Sequence, residues 1–335
     1  MDDGRASSRN KALLLKFVEQ LHLHIHIKVT DKQNFIGLLI DIDPAKSSVD
    51  LSAPHHAREF ARKAGMTESK PTDTPMATGT ILCAGEPHDI LPPADIKRYQ
   101  ELCGTAIFLV QAVRLDIAYA VGQCCRFMHA PTGAHMSALL HIARYVNCTP
   151  SFSLKYAPPA DSAELHQPVA YTDASHNTVE GRPVTGTAIV LNGAAVSYSS
   201  HTQKTGIATS TCESELMAMM SGCHDTMYVR NVITAFGFPL HSSTPLHCDN
   251  KPALDAVANS RVSPRTKHIN LRFQHIRELV AHGDISVSHL DGVCMPADAL
   301  TKPLPRPLFS RHIQVLSGNS PTGAPTPAKA SSDNL

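Results

Sequence analysis

Four acidic residues stand at unusual places in the second half of the chain: Asp173, Glu215, Asp249 and Asp298. Asp173 falls inside the apolar run Val169-Ala170-Tyr171-Thr172-Asp173-Ala174-Ser175, which reads as a short strand, an element from which Asp is ordinarily depleted. Glu215 lies in the first turns of a long helical stretch, Asp249 directly follows a short apolar strand, and Asp298 opens a last short helix starting near Ala297. Side chains from these positions can converge on one spot. A tight cluster of hard carboxylate oxygens holds divalent cations. Two Mg2+ ions about 3.5–4 Å apart, one activating water and one stabilising the leaving oxygen, suit phosphodiester cleavage. Left without cations, four such acids would repel one another and some would protonate. Each residue alone has a plainer reading. Asp249-Asn250 before Pro252 fits a helix cap, Asp298 an ordinary acid at a helix start, and Glu215 a solvated helix position. Glu213 fits a capping box with Ser210.

The elements that must carry these acids follow from periodicity. Thr185–Leu191 and Ala194–Ser200 read as strands joined by Asn192-Gly193, a two-residue hairpin signal because both positions tolerate positive φ. A helix runs to about Phe236, where Gly237 stops it. Then come a strand at Pro245–Cys248, helices over Lys251–Asn259 and Lys267–His282, and a strand by alternation at Ile285–Leu290. This order predicts a mixed α/β layer with an antiparallel start and a later parallel part.

The first block, residues 1–155, has helical spacing over Lys11–Leu23, a run at Phe35–Ile42 that reads as one buried strand, and an irregular Thr/Pro/Gly-rich stretch over 68–96. Two amphipathic helical stretches follow, Ala94–Met128 with a break and Ala134–Val146, the latter with Thr132 as N-cap. Residues 156–168 are Pro-rich and read as a linker, 169–312 as the second domain, and 313–335 as a disordered tail.

Composition narrows the function classes. The 335 residues carry a formal net charge of +1, so no global basic field announces a nucleic-acid partner, and one must be argued from local clusters. The nine Cys, an odd number set mostly in apolar surroundings, read as reduced, buried thiols. The polar N-terminus has no signal-peptide core and no apolar run reaches a membrane span. The expectation is an intracellular protein, cytoplasmic or nuclear, with no membrane partner. No Walker-type loop, nucleophile elbow or zinc-finger spacing is present.

Five strings occur in order: Tyr171-Thr172-Asp173-Ala174-Ser175, Ser210 to Ala218, Cys248-Asp249-Asn250, Arg265-Thr266-Lys267-His268-Ile269, and Pro296-Ala297-Asp298-Ala299-Leu300-Thr301-Lys302-Pro303-Leu304. Their succession resembles the ribonuclease H (RNase H) domain of copia-type retrotransposon polyproteins. The resemblance implies an RNase H-like mixed-sheet domain that hydrolyses the RNA strand of RNA–DNA hybrids. Its Asp173, Glu215, Asp249 and Asp298 would hold two Mg2+ ions, with Mn2+ as the alternative. His289, nine residues before Asp298, is similar in place to a His that assists proton transfer and product release in RNase H enzymes. Beside the implied site, Ser175 and Asn250 flank two of the acids and are candidates to donate to substrate hydroxyls or phosphates. Arg265, Lys267 and Arg272, within an acid-free stretch from Arg261 to Arg277, are candidate phosphate contacts. Such contacts would position the hybrid without reading its sequence.

Phe35-Ile36-Gly37-Leu38, Thr74-Pro75-Met76, Tyr99 to Gly104, Asp116 to Val121 and Arg126-Phe127-Met128 resemble the same polyprotein's segment between polymerase palm and RNase H, although Leu115 stands where that family usually has Pro. The first block is therefore expected to be a smaller, mostly helical α+β remnant of a reverse transcriptase. Asp2-Asp3 stands about where the palm's paired aspartates would end, so the chain is not expected to polymerise DNA by itself. The missing polymerase portion is a candidate partner. The alternative reading is a truncated, inactive transposon remnant that at most binds nucleic acid.

Overall fold

The computed structural model describes residues 6, 8, 10–29, 34–161, 164–175, 182–203, 211–258 and 267–319, with side chains within 267–281 described from Phe273 onward. Helix α1 (Lys11–His22) begins at Asn10, whose side chain accepts from the Ala12 amide. It carries no buried residue. Strands β1 (Asn34–Phe35), β2 (Leu38–Asp43) and β3 (Ser48–Ser52) precede α2 (Pro54–Ala64), α3 (Pro93–Ala112), α4 (Ala118–Cys125), α5 (Gly133–Cys148) and β4 (Ser153–Tyr156). The four strands form one antiparallel sheet in chain order. Thr132 caps α5, and its own amide donates to His135 Nδ1 at 2.9 Å. The expected single strand over Phe35–Ile42 is corrected. Ile36 and Gly37, both at positive φ, form a tight turn between β1 and β2, and within β2 only Ile40 is buried.

The second block opens with β5 (Val169–Ser175), β6 (Val184–Leu191) and β7 (Ala194–Thr202). It continues through α6 (Thr211–Ala235), β8 (Thr244–Cys248), α7 (Lys251–Ala258), α8 (Lys267–Ala281), β9 (Ile285–His289) and α9 (Arg306–Ser317). The sheet runs β7-β6-β5-β8-β9, antiparallel across β7, β6 and β5 and parallel across β5, β8 and β9. This is the RNase H-like mixed sheet of the expected fold class. The predicted hairpin turn holds Asn192 at φ 50° and Gly193 at φ 97°. The expected helix near Ala297 is a 3-10 turn over Pro296–Leu300.

Two apolar cores lie on opposite faces of this sheet. Ala170 and Ile189 pack with Leu216, Met219 and Cys223 of α6 and with residues of α7 and α8. Ala188, Ala194 and Ala195 pack the other way, into a core shared with Tyr99, Leu109, Leu139 and Leu154 of the first block. Leu300, Phe309, Ile313 and Leu316 enter the same core. The tail expected from residue 313 is corrected on this point, because Ile313 and Leu316 belong to the buried face of α9. Residues 320–335 lie outside the described residues. Polar contacts join the blocks as well. Tyr156 Oη donates to Ala195 O at 2.8 Å, Ala157 N to Asn192 O at 2.9 Å, and Tyr198 Oη to Val110 O. Cys103, Cys124, Cys223 and Cys248 are buried, as expected, whereas Cys83 and Cys148 are exposed.

Candidate metal centre

Parity along β5 decides which side chains face which core. Ala170 packs towards α6, whereas Tyr171 packs against Met295 and Ala297. Two residues beyond Tyr171, Asp173 falls on the face of the 296–301 turn, since side chains alternate along a strand. Two glycines let the flanking elements approach. Gly186 sits opposite Asp173 in β6, and a Cβ there would stand 2.7 Å from Thr301 Cγ2 and 2.9 Å from Ala297 O. On the other face, a Cβ on Gly222 of α6 would collide with Thr172 Cγ2. The missing side chains bring the Asp298 turn and the Glu215 helix down onto β5.

The acids meet at this place. Ligand oxygens of Asp173, Asp249 and Asp298 lie within 4.8 Å of one another, and a second such group joins Glu215, Cys248 Sγ and Asp249. Asp249 is common to both. Asp173, Glu215 and Asp298 are 2%, 5% and 5% exposed, while Asp249 is half-buried. Burial first, and Asp173 and Asp249 second, push Glu215 up to about 9. Burial and then the Asp173 charge push Asp298 up to about 7, and the same two causes raise Asp249. Crowded carboxylates without enough positive charge behave in this way. The donor set is all hard oxygen apart from one thiol, so it fits Mg2+ or Mn2+.

Other residues complete the surroundings. Thr301 Oγ1 donates to Asp173 Oδ2, and Lys302 Nζ lies 2.8 Å from Asp298 Oδ1 and 3.9 Å from Asp173 Oδ2. Cys248 Sγ is 3.9 Å from Glu215 Oε2. The sequence reading did not single out Thr301, Lys302 or Cys248 as site residues, although each sits within three or four residues of a named acid or beside it. Their adjacency was the available signal.

The remaining predicted residues divide. His289 ends β9 beside Cys248, with Nε2 3.1 Å from Asp249 O and Nδ1 3.9 Å from Asp291 Oδ1. Asn250 Oδ1 accepts from the Ala253 amide at 2.9 Å, so Asn250 caps α7 and leaves the Asp249 carboxylate to the cluster. Ser175 closes β5, paired with Val184. Arg265 lies outside the described residues, as do the side chains of Lys267 and Arg272. Arg277, from the same basic stretch, donates to Val257 O at 2.7 Å and Ala256 O at 2.6 Å and so closes the end of α7.

A mixed α/β sheet of RNase H type with acids gathered at the inner strand ends is thus the class that fold and site define. No family model matches the chain. The chain is 29% identical over 322 residues to the retrovirus-related Pol polyprotein from transposon RE2 of Arabidopsis thaliana, covering 94% of this chain and 21% of that protein. It is 28% identical over 316 residues to the corresponding polyprotein from transposon TNT 1-94 of Nicotiana tabacum, covering 92% of this chain and 23% of that protein. The resemblance to copia-type retrotransposon Pol polyproteins therefore holds along nearly the whole chain, which spans about a fifth of these relatives' length. Among solved structures, LC11-RNase H1 isolated from compost aligns at a TM-score of 0.32 and 14% identity, covering 41% of this chain and 94% of that one. An overlap so loose carries no weight, and the fold class rests on the strand order. Among the described residues no helix is long and apolar enough to cross a membrane.

Proposed function

We propose that the chain is a divalent-metal-dependent endoribonuclease that hydrolyses the RNA strand of RNA–DNA hybrids, within a retrotransposon polyprotein context. The observation that carries this reading is the meeting of Asp173, Asp249 and Asp298 within 4.8 Å, with Glu215 joined through Asp249. Those four acids would hold two ions, Mg2+ or Mn2+. Such ions, if bound, would supply Lewis-acid stabilisation of charge at water and at the cleaved phosphate. The protein's own part is positional. Gly186 and Gly222 permit the close packing that sets the acids, Thr301 orients the Asp173 carboxylate, and Asn250 holds the turn bearing Asp249. His289, whose Nε2–H donates to the Asp249 carbonyl, would exchange protons beside the cluster through Nδ1. Ser175, Asn250, Arg265, Lys267 and Arg272 would meet the hybrid's backbone, whose A-like shape and 2′-hydroxyls are what such an enzyme recognises. Residues 169–312 would carry the chemistry. Residues 1–155, joined through 156–168, would contribute stability or hybrid binding, with the polymerase part of a polyprotein as a further partner.

The test is cleavage of end-labelled RNA–DNA hybrid by the full chain with Mg2+, beside EDTA, duplex RNA and duplex DNA. The expected result is cutting of only the hybrid's RNA strand, lost in EDTA. A folded chain that binds metal but cuts nothing would favour the inactive-remnant reading.

A further inference from the structure

Among the described residues, Lys302 is the cation that pairs with the acid cluster. Its ammonium lies 2.8 Å from Asp298 Oδ1 and 3.9 Å from Asp173 Oδ2. The turn that carries Asp298 fixes this placement, since the Thr301 and Lys302 amides both donate to Asp298 O at 3.2 Å. Asp173 and Asp298 belong to the group of ligand oxygens that would receive a divalent ion. The lysine's side chain is 40% exposed, against 3% and 7% for the two acids, so the ammonium can swing out to solvent while the carboxylates stay.

We infer that Lys302 is a built-in counter-ion that competes with divalent metal for Asp173 and Asp298, so that metal loading must displace its ammonium from the cluster. The inference rests on the metal-centre reading above and goes beyond it in naming what sets the metal requirement. An internal ammonium offsets part of the cluster's charge when the ion is absent and weakens the ion's hold when it is present, because like charges share one low-dielectric site. Once displaced, the ammonium remains tethered at the edge of the centre.

The test measures Mn2+ binding to the full chain without nucleic acid, by the electron paramagnetic resonance signal of free Mn2+. The chains compared are wild type, Lys302→Met, Lys302→Gln and Lys302→Arg. Lys302→Met and Lys302→Gln should bind Mn2+ about tenfold more tightly than wild type, a modest share of the direct charge repulsion because a flexible ammonium partly escapes it. Lys302→Arg, which keeps the charge, should stay within a few-fold of wild type. Thermal unfolding should cross over, with the neutral variants less stable than wild type in EDTA and gaining more from Mn2+. A lysine that merely holds the turn together would lower stability in both conditions and leave affinity unchanged or weaker. That result overturns the inference while leaving the metal centre standing. Absence of Mn2+ binding in every folded chain would overturn both.

Discussion

Among the described residues charge is buried at two places, and they are built on opposite principles. In the first block Arg114 and Asp116, each 1% exposed, pair bidentately at 2.8 and 2.9 Å. Two further guanidinium donors go to Thr149 O and Oγ1, and the group lies over the Phe152 ring. Each of the two charges there has its complement in the other. In the second block, among the described residues, four acids gather around the single ammonium of Lys302, and Glu215, Asp249 and Asp298 all answer by holding protons more tightly. A closed buried pair holds helices together, whereas a buried surplus of one sign is held ready for something that brings the opposite sign. The two places nearly touch in the fold, since Asp116 and Lys302 line one small cavity with Ala299 and Phe309.

The largest loss of activity is expected at Asp249. Asp249→Asn should reduce hybrid cleavage by at least about a thousandfold, equivalent to ~4 kcal/mol of barrier, with the circular dichroism spectrum unchanged. The helix cap that Asn could have served is already made by Asn250. Near-normal cleavage by this variant would remove Asp249 from the metal centre.

At the closed pair the expected loss is in stability instead. Arg114→Met strands the buried Asp116 carboxylate and should cost about 3–5 kcal/mol, with little recovered by added Mn2+. Changing Asp116→Leu in the same chain should restore much of that loss, read from denaturant midpoints. If the single change proved harmless, the pair would not be the closed structural unit described.

The acid surplus should also make stability depend on pH. Glu215 and Asp298 hold protons up to about 9 and about 7 in the folded chain, against ordinary values of 4.5 and 3.8. Between those limits the folded chain binds more protons than the unfolded one, so stability falls as pH rises. In EDTA the unfolding temperature should therefore decline from pH 5 to pH 9. Glu215→Gln should flatten part of that slope, and Mn2+ should flatten more of it by binding the charged acids. A slope unchanged by Glu215→Gln would mean that the surplus charge resides elsewhere.

Much of this was legible in the chain alone, because it depends on local chemistry. The 2.0 and 3.6 periodicities marked β5 through β9 and α6 through α8 to within a few residues, and Asn192-Gly193 set its own hairpin. An Asp within a strand was already anomalous at Asp173 without any partner in view. Other elements misled for equally local reasons. A continuous apolar run hid the turn at Ile36-Gly37, and a Pro/Ser-rich ending masked the buried face of α9. Three things were decided only by tertiary structure. The first block and the RNase H-type sheet share one apolar core, an arrangement written in no single window of sequence. Asn250 took the cap and left Asp249 free, a choice between neighbours that only packing makes. Lys302 came to rest between Asp173 and Asp298, acids separated in the chain by a hairpin, three helices and two further strands, because the gap in the side-chain layer at Gly186 lets the Asp298 turn settle against β5. Residue types and spacing declare which groups can do chemistry, but whether a charge is paired or left in surplus depends on distances between segments remote in sequence, and those exist only once the sheet has closed its layers.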